Sequence, residues 1–265
     1  MKQPTLKNIL SNKTGGSTEL SVDILKFFKL NINRPQIMKD AIGIFKDRME
    51  NFEIVIKQVR QIEKLLQKKD IYSLQKYLNE SLVRNQDSFN EIYQNCKSYL
   101  RNKNVIYTLS NSQTVFEVLR LVYSKNKKLQ IIIAESRIAL EGRILAKKFL
   151  KAGIAVKLIA DCDSSSHILN SDAVVIGADK ILSNLAVVNK VGSLNAAIIA
   201  KYFQKPFYVL SYEGKISNEK NFTDKQQAQK ELWSFRHEKL KIKNHYFEIV
   251  PRELITKIIT EKNVY

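Results

Sequence analysis

Cysteine is almost absent: Cys96 and Cys162 lie far apart with no paired spacing, so neither a disulfide framework nor a cysteine-built zinc site is indicated. Both read as ordinary thiols. No apolar run approaches the roughly 20 residues needed to cross a bilayer, and the opening Met1-Lys2-Gln3-Pro4 has no signal-peptide apolar segment. A cytoplasmic protein without membrane contact is therefore expected. Acidic residues are also in deficit, 26 against 44 Lys and Arg, for a formal charge of +18. Such a charge suits phosphorylated ligands and nucleic acid alike. It is spread over both halves of the chain without a dense basic block or a basic-aromatic ladder, so nucleic acid is permitted but not specifically indicated.

What is present is enough apolar residue, 44% of 265, to bury a sizeable core. The central stretch alternates strand and helix patterns. Leu129 to Ala134 is a strand-like apolar run delivering Glu135-Ser136-Arg137, and Glu141 to Lys151 has helical periodicity closed by Gly153. Ile154 to Ala160 is a second strand ending in Asp161, and Ala173 to Gly177 a third ending in Asp179. Nearly continuous apolar strands separated by helices mean a parallel sheet covered on both faces, with ligands held beyond the strand carboxyl ends. Glu135, Arg137, Asp161 and Asp179 are the first site candidates on that ground.

The first hundred residues read as helices: Thr5 to Leu10, a segment capped by Ser17 or Thr18, a long helix from Gln36 towards Lys68, and a pair over Ile71 to Leu82 and Gln86 to Leu100. The loop Asn12-Lys13-Thr14-Gly15-Gly16-Ser17 exposes amides that suit an anion, or is simple turn chemistry. Arg34-Pro35 is a break before helix entry. Val105 to Thr108 is a strand, and Leu109-Ser110-Asn111-Ser112 a polar turn that either holds a phosphate or caps the helix Thr114 to Tyr123. The expected division is residues 1–103 as a helical domain and 104–265 as a Rossmann-like parallel-sheet domain. Further on, Ala186 to Val188, Pro206 to Leu210 and Tyr246 to Val250 read as strands, with helices over Ser193 to Phe203 and Arg252 to Ile259. Residues 217–244 form a polar excursion that Trp233 and Phe235 are expected to anchor.

Glu135-Ser136-Arg137, Glu141-Gly142-Arg143, Gly177-Ala178-Asp179-Lys180-Ile181, Asn189-Lys190-Val191-Gly192, Lys215 and Ile259-Thr260-Glu261 resemble the signature of the translation initiation factor 2B alpha/beta/delta family. Its superfamily includes ribose-1,5-bisphosphate isomerase and methylthioribose-1-phosphate isomerase. The segments Gly16 to Leu20 and Asn33-Arg34-Pro35 extend the resemblance over nearly the whole chain. It implies a site between a helical and a Rossmann-like part, subunit pairing through the C-terminal part, no cofactor or metal, and the translation initiation factor 2 complex as partner.

In the isomerases, the acid matching Asp179 partners a cysteine, where this chain has Ser110. A hydroxyl lacks the low intrinsic pKa of a thiol. The arginine that precedes the isomerases' glycine-alanine pair is also missing, Gly15 standing there. A non-catalytic, initiation-factor-2B-like subunit is therefore expected. Its pocket for a phosphorylated sugar or nucleotide is expected to use Gly16, Arg34, Glu135, Arg137, Asp179, Asn189, Lys190 and Lys215, and the protein to be a homodimer or higher homo-oligomer. An isomerase using Asp179 with Ser110, and an RNA-associated structural protein, are the alternatives.

Overall fold

A computed structural model describes residues 3–12 and 14–265, the side chain of Gln86 excepted. Met1, Lys2 and Lys13, which the sequence places in the opening segment and the first loop, lie outside the described residues. Five helices come first: α1 (Leu6–Ser11), α2 (Ser17–Leu30), α3 (Pro35–Arg48), α4 (Glu53–Gln67) and α5 (Ile71–Leu100). Next come β1 (Val105–Thr108), α6 (Gln113–Lys125), β2 (Gln130–Ala134), α7 (Glu141–Lys151), β3 (Ala155–Ile159), α8 (Ser164–Leu169) and β4 (Ala173–Ile176). The chain continues through β5 (Lys180–Ile181), β6 (Val187–Lys190), α9 (Ser193–Tyr202), β7 (Phe207–Leu210), β8 (Phe247–Val250) and β9 (Lys257–Ile259).

Six strands form one parallel sheet in the order β3-β2-β1-β4-β7-β9. The three consecutive isoleucines of β2 show why its apolar run is unbroken. Ile131 and Ile133 face a core shared with α2 to α7, while Ile132 faces the opposite core with Tyr107, Val174 and the alanines of α9. Both faces are dry, so both side-chain phases must be apolar. The strands β5-β6-β8 make a small antiparallel sheet beside it. No helix among the described residues is long and apolar enough to cross a membrane.

Tertiary contacts redraw several expected elements. The long helix over Gln36 to Lys68 is two helices, because the chain leaves helical geometry at Met49 and resumes after Phe52. There Phe52 packs edge-on against Phe247, 5.7 Å between ring centroids, and the Asn51 amide donates to Asp224. Conversely, the expected pair after it is the single 30-residue α5. No Gly or Pro interrupts that segment, and Asn85 and Ser88 donate back to the carbonyls of Ser81 and Arg84 four residues earlier. The terminal helix over Arg252 to Ile259 is a short 3-10 turn followed by β9. Its β-branched residues extend the sheet instead, with Thr256 exchanging hydrogen bonds with Phe207. Neither Ser17 nor Thr18 caps α2; the N-cap is Gly16, without a side-chain bond.

Trp233 and Phe235 do not anchor the excursion either. They are 57% and 50% exposed, and the anchoring falls to Asp224 and Asn244.

Candidate functional site

The order β3-β2-β1-β4-β7-β9 reverses direction between β1 and β4. Loops leaving two such strands part to opposite sides and open a crevice at their carboxyl ends. A cleft lies there, lined by the turn Leu109–Gln113 after β1 and by Gly177, Ala178 and Asp179 after β4. The start of α2 (Gly16, Ser17, Thr18) covers it from the helical side, while Glu141, Asn189, Lys190 and Lys215 close its flank. Its enclosed volume is about 20 Å³, the room of a single water. Lys190 also lines an adjoining cavity of about 660 Å³ under Phe52, Tyr246 and Phe247.

Glycine is required where these elements touch. A Cβ on Gly16 would stand 2.8 Å from the Asn111 carbonyl oxygen, and one on Gly177 would stand 2.5 Å from the Ser112 hydroxyl. The first turn of α2, uncapped by any side chain, therefore lies directly against the β1 turn. Free amides and the helix dipole make such a turn receptive to anions. Two polar atoms here, Ser17 Oγ and Asn111 Oδ1, are buried without a hydrogen-bond partner among the described residues. Unpaired buried polar groups are costly and invite a ligand.

The charged groups form a compact set. Lys190 Nζ lies 2.8 Å from Glu141 Oε1, and Ser110 Oγ donates to Glu141 Oε2 at 3.3 Å. Burial pushes the Glu141 carboxyl above its ordinary range, with Lys190 opposing the shift. The ammonium of Lys190 also sits 4.6 Å from the Phe247 ring centroid and 5.2 Å from that of Tyr246. Lys215 donates to the Ala178 carbonyl at 2.6 Å, and burial drives its pKa down to about 8 against the field of Asp179. Asp179 is itself buried. Ser110 adopts a left-handed backbone, φ 63°, held by its amide donating to Ser136 Oγ at 2.7 Å.

The depressed Lys215 pKa has a measurable consequence. Between pH 8 and the ordinary lysine value of 10.5, the unfolded chain binds a proton at this position that the folded chain does not. Stability contributed by Lys215 therefore rises with pH across that window. Urea unfolding midpoints followed from pH 8 to about 9, below the ordinary tyrosine value of about 10, should show this rise in the parent protein and lose it in Lys215→Met. An identical slope in the two proteins would refute the assignment.

Of the expected site residues, Ser110, Gly16, Asp179, Asn189, Lys190 and Lys215 are brought to one cleft. Four lie outside its lining. Arg34 is exposed at the N-cap of α3, and Glu135 pairs with Arg143 at 2.6 Å. Arg137 lines a neighbouring depression, with Ile138, Val191 and His245, that shares Glu141 and Lys190 with the cleft. Asp161 is occupied structurally, its carboxylate accepting the Ser136 and Arg137 amides at 2.9 and 2.7 Å. Glu141, Ser17 and Asn111 were not among the candidates. Ser17 and Asn111 nevertheless fall within the two turns read as possible anion holders, and Glu141 opens a helix within a recognisable Glu-Gly-Arg triplet.

A doubly wound α/β sheet with a polar cleft at its switch point, covered by an N-terminal layer of helices, defines the class. Within that class the chain belongs to the Initiation factor 2 subunit family, matching it over residues 17–265. It is 32% identical over 165 residues to ribose 1,5-bisphosphate isomerase of Archaeoglobus fulgidus, covering 59% of this chain and 52% of that protein. The chain thus spans about half the length of the curated relatives it matches. Translation initiation factor eIF-2B of Pyrococcus horikoshii OT3 superposes with a TM-score of 0.83 at 22% identity, covering 98% of this chain and 94% of that one. The 5-methylthioribose 1-phosphate isomerase of the same organism superposes with a TM-score of 0.79 at 19% identity, covering 98% and 82%.

Proposed function

We propose that the protein is a non-catalytic, initiation-factor-2B-like subunit that binds a phosphorylated sugar or nucleotide at the switch-point cleft, the body of the ligand occupying the adjoining cavity of about 660 Å³ that Lys190 also lines. It acts through protein association, as a homodimer or higher homo-oligomer with the translation initiation factor 2 complex as partner. The carrying observation is the state of Ser110, a hydroxyl bonded to Glu141 at the position where the isomerases are expected to hold a thiol. Aldose-to-ketose conversion moves hydrogen between adjacent carbons and needs a group that exchanges protons near neutrality, which a hydroxyl does not. Binding asks for less. The uncapped start of α2, the unpaired Ser17 and Asn111 atoms, and the cations Lys190 and Lys215 supply donors for a phosphate and partners for hydroxyls.

A second reading has its own support. Glu141 and Lys215, both shifted towards neutrality by burial, share the cleft with Asp179. Such clusters favour proton-transfer chemistry, and either group could replace the thiol in an isomerase.

The test is incubation with ribose 1,5-bisphosphate and with methylthioribose 1-phosphate, following ketose formation and thermal stabilisation together. Stabilisation without ketose is expected, with affinity at least about tenfold weaker in Asp179→Asn, since hydrogen bonds to a charged group contribute about 1.5–3 kcal/mol. Turnover abolished by Asp179→Asn would replace the first reading with the second. Neither response would remove both phosphosugars from consideration.

A further inference from the structure

Between the turn after β7 and the start of β8 the chain makes a long excursion whose two ends are tied together. The Asp224 carboxylate accepts the Tyr246 and Phe247 amides at 2.7 and 2.9 Å, and the Gln227 amide donates to the Asn244 carbonyl at 2.7 Å. The Asn244 side chain in turn donates to the Ala228 carbonyl at 2.9 Å. Residues 229–243 therefore project from a fixed base as an irregular finger.

The finger's tip is unlike the surface of a solvated loop. Trp233 and Phe235 stack on each other, 4.8 Å between ring centroids and 26° between planes, and each remains half-exposed. Along the same stretch Lys230, Arg236, Lys239, Lys241 and Lys243 are all exposed, so the chain does carry a local basic-aromatic run that the even spread of charge over its two halves concealed. The acids of the same stretch are Glu231 and Glu238. Glu231 is engaged with the protein, accepting from the Tyr246 hydroxyl and from the Asn244 amide.

We propose that this finger is a binding surface for single-stranded RNA. An exposed aromatic pair offers a stacking platform that every base can use, and interleaved cations follow the phosphates. A paired helix hides its base faces, so the platform selects unpaired nucleotides. A protein partner that buried Trp233 and Phe235 would meet a stretch carrying five exposed cations, for which a phosphate backbone is the complementary chain. None of residues 229–243 lines the cleft.

Trp233 is the single tryptophan of the chain, so its emission reports directly on stacking at this site. The full chain would be titrated with a fluorescently labelled oligouridylate of about 16 nucleotides at about 50 mM salt. Binding is expected to quench the tryptophan emission. Trp233→Ala, read by the label, is expected to weaken binding about 5- to 150-fold, the equivalent of 1–3 kcal/mol for one stacked base. Because the ring is exposed, its melting temperature should stay that of the parent. Replacing Lys239, Lys241 and Lys243 together by Glu should reduce the slope of log affinity against log salt by at least about 2, at 0.7 per phosphate contact. Asp179→Asn should bind the oligonucleotide as the parent does. Absence of binding, equal binding of duplex RNA, or affinity unchanged in both Trp233→Ala and Phe235→Ala would overturn the proposal. So would a protein that binds the finger while RNA does not.

Discussion

Glu141→Ala is expected to lower the free energy of unfolding by about 3–5 kcal/mol at neutral pH, the cost of removing one partner from a buried ion pair. The Glu141 side chain is 6% exposed and that of Lys190 11%, so neither charge is well solvated. Alanine would leave the ammonium facing Tyr246 and Phe247 with no carboxylate beside it. The destabilisation belongs to the stranded charge and not to lost volume alone. Adding Lys190→Met to Glu141→Ala should therefore recover most of it, as removal of a whole buried pair is often neutral. Urea unfolding of the two variants decides the matter: a loss below about 1 kcal/mol in the single variant would class the pair with surface salt bridges.

Gly142→Ala should also destabilise, by about 3 kcal/mol, the upper part of the range for overpacking. Alanine is ordinarily the better helix residue by about 0.5–1 kcal/mol, so propensity alone would give the opposite sign. Here a Cβ would stand 2.0 Å from the Ala134 carbonyl oxygen and 3.0 Å from the carbonyl carbons of Ala134 and Glu135. Those are backbone atoms of the β2 end and cannot swing aside. The start of α7 must retreat, taking Glu141 away from both Lys190 and Ser110. Equilibrium unfolding measures the loss, and a stability equal to or above that of the parent would show that α7 does not press on β2 in this way.

Residues that act through local chemistry were legible in the sequence. Strand and helix periods from Val105 onwards mark the parallel sheet, because a strand covered on both faces must be apolar at every position, as the isoleucines of β2 are. Asp179 was named because strand ends in a parallel sheet meet at one edge, Gly16 because a glycine-rich turn before a helix leaves amides free, and Asn189 and Lys190, which lie on the small antiparallel sheet, only because their segment resembles the family signature. Glu135 and Arg137 obey the same strand-end rule yet lie outside the cleft's lining. Position along β2 says where a residue lies, while a contact such as the Glu135–Arg143 pair settles what its side chain meets.

The sequence by itself determined that a helical layer precedes a parallel α/β sheet and that an acid ends the strand at the switch point. Those properties depend on residue type and spacing along the chain. Tertiary structure alone decided that the helix breaks at Met49 to Phe52, where Phe52 meets Phe247 across the fold. It likewise made Ile258 and Ile259 a sixth strand, because an open sheet edge was available to pair with them. It set Glu141 between Ser110 and Lys190, and left Trp233 and Phe235 stacked in the open once Asp224 and Asn244 had tied down their loop. Each of these outcomes turns on a contact between residues distant in sequence, and periodicity carries no record of which distant side chain will arrive.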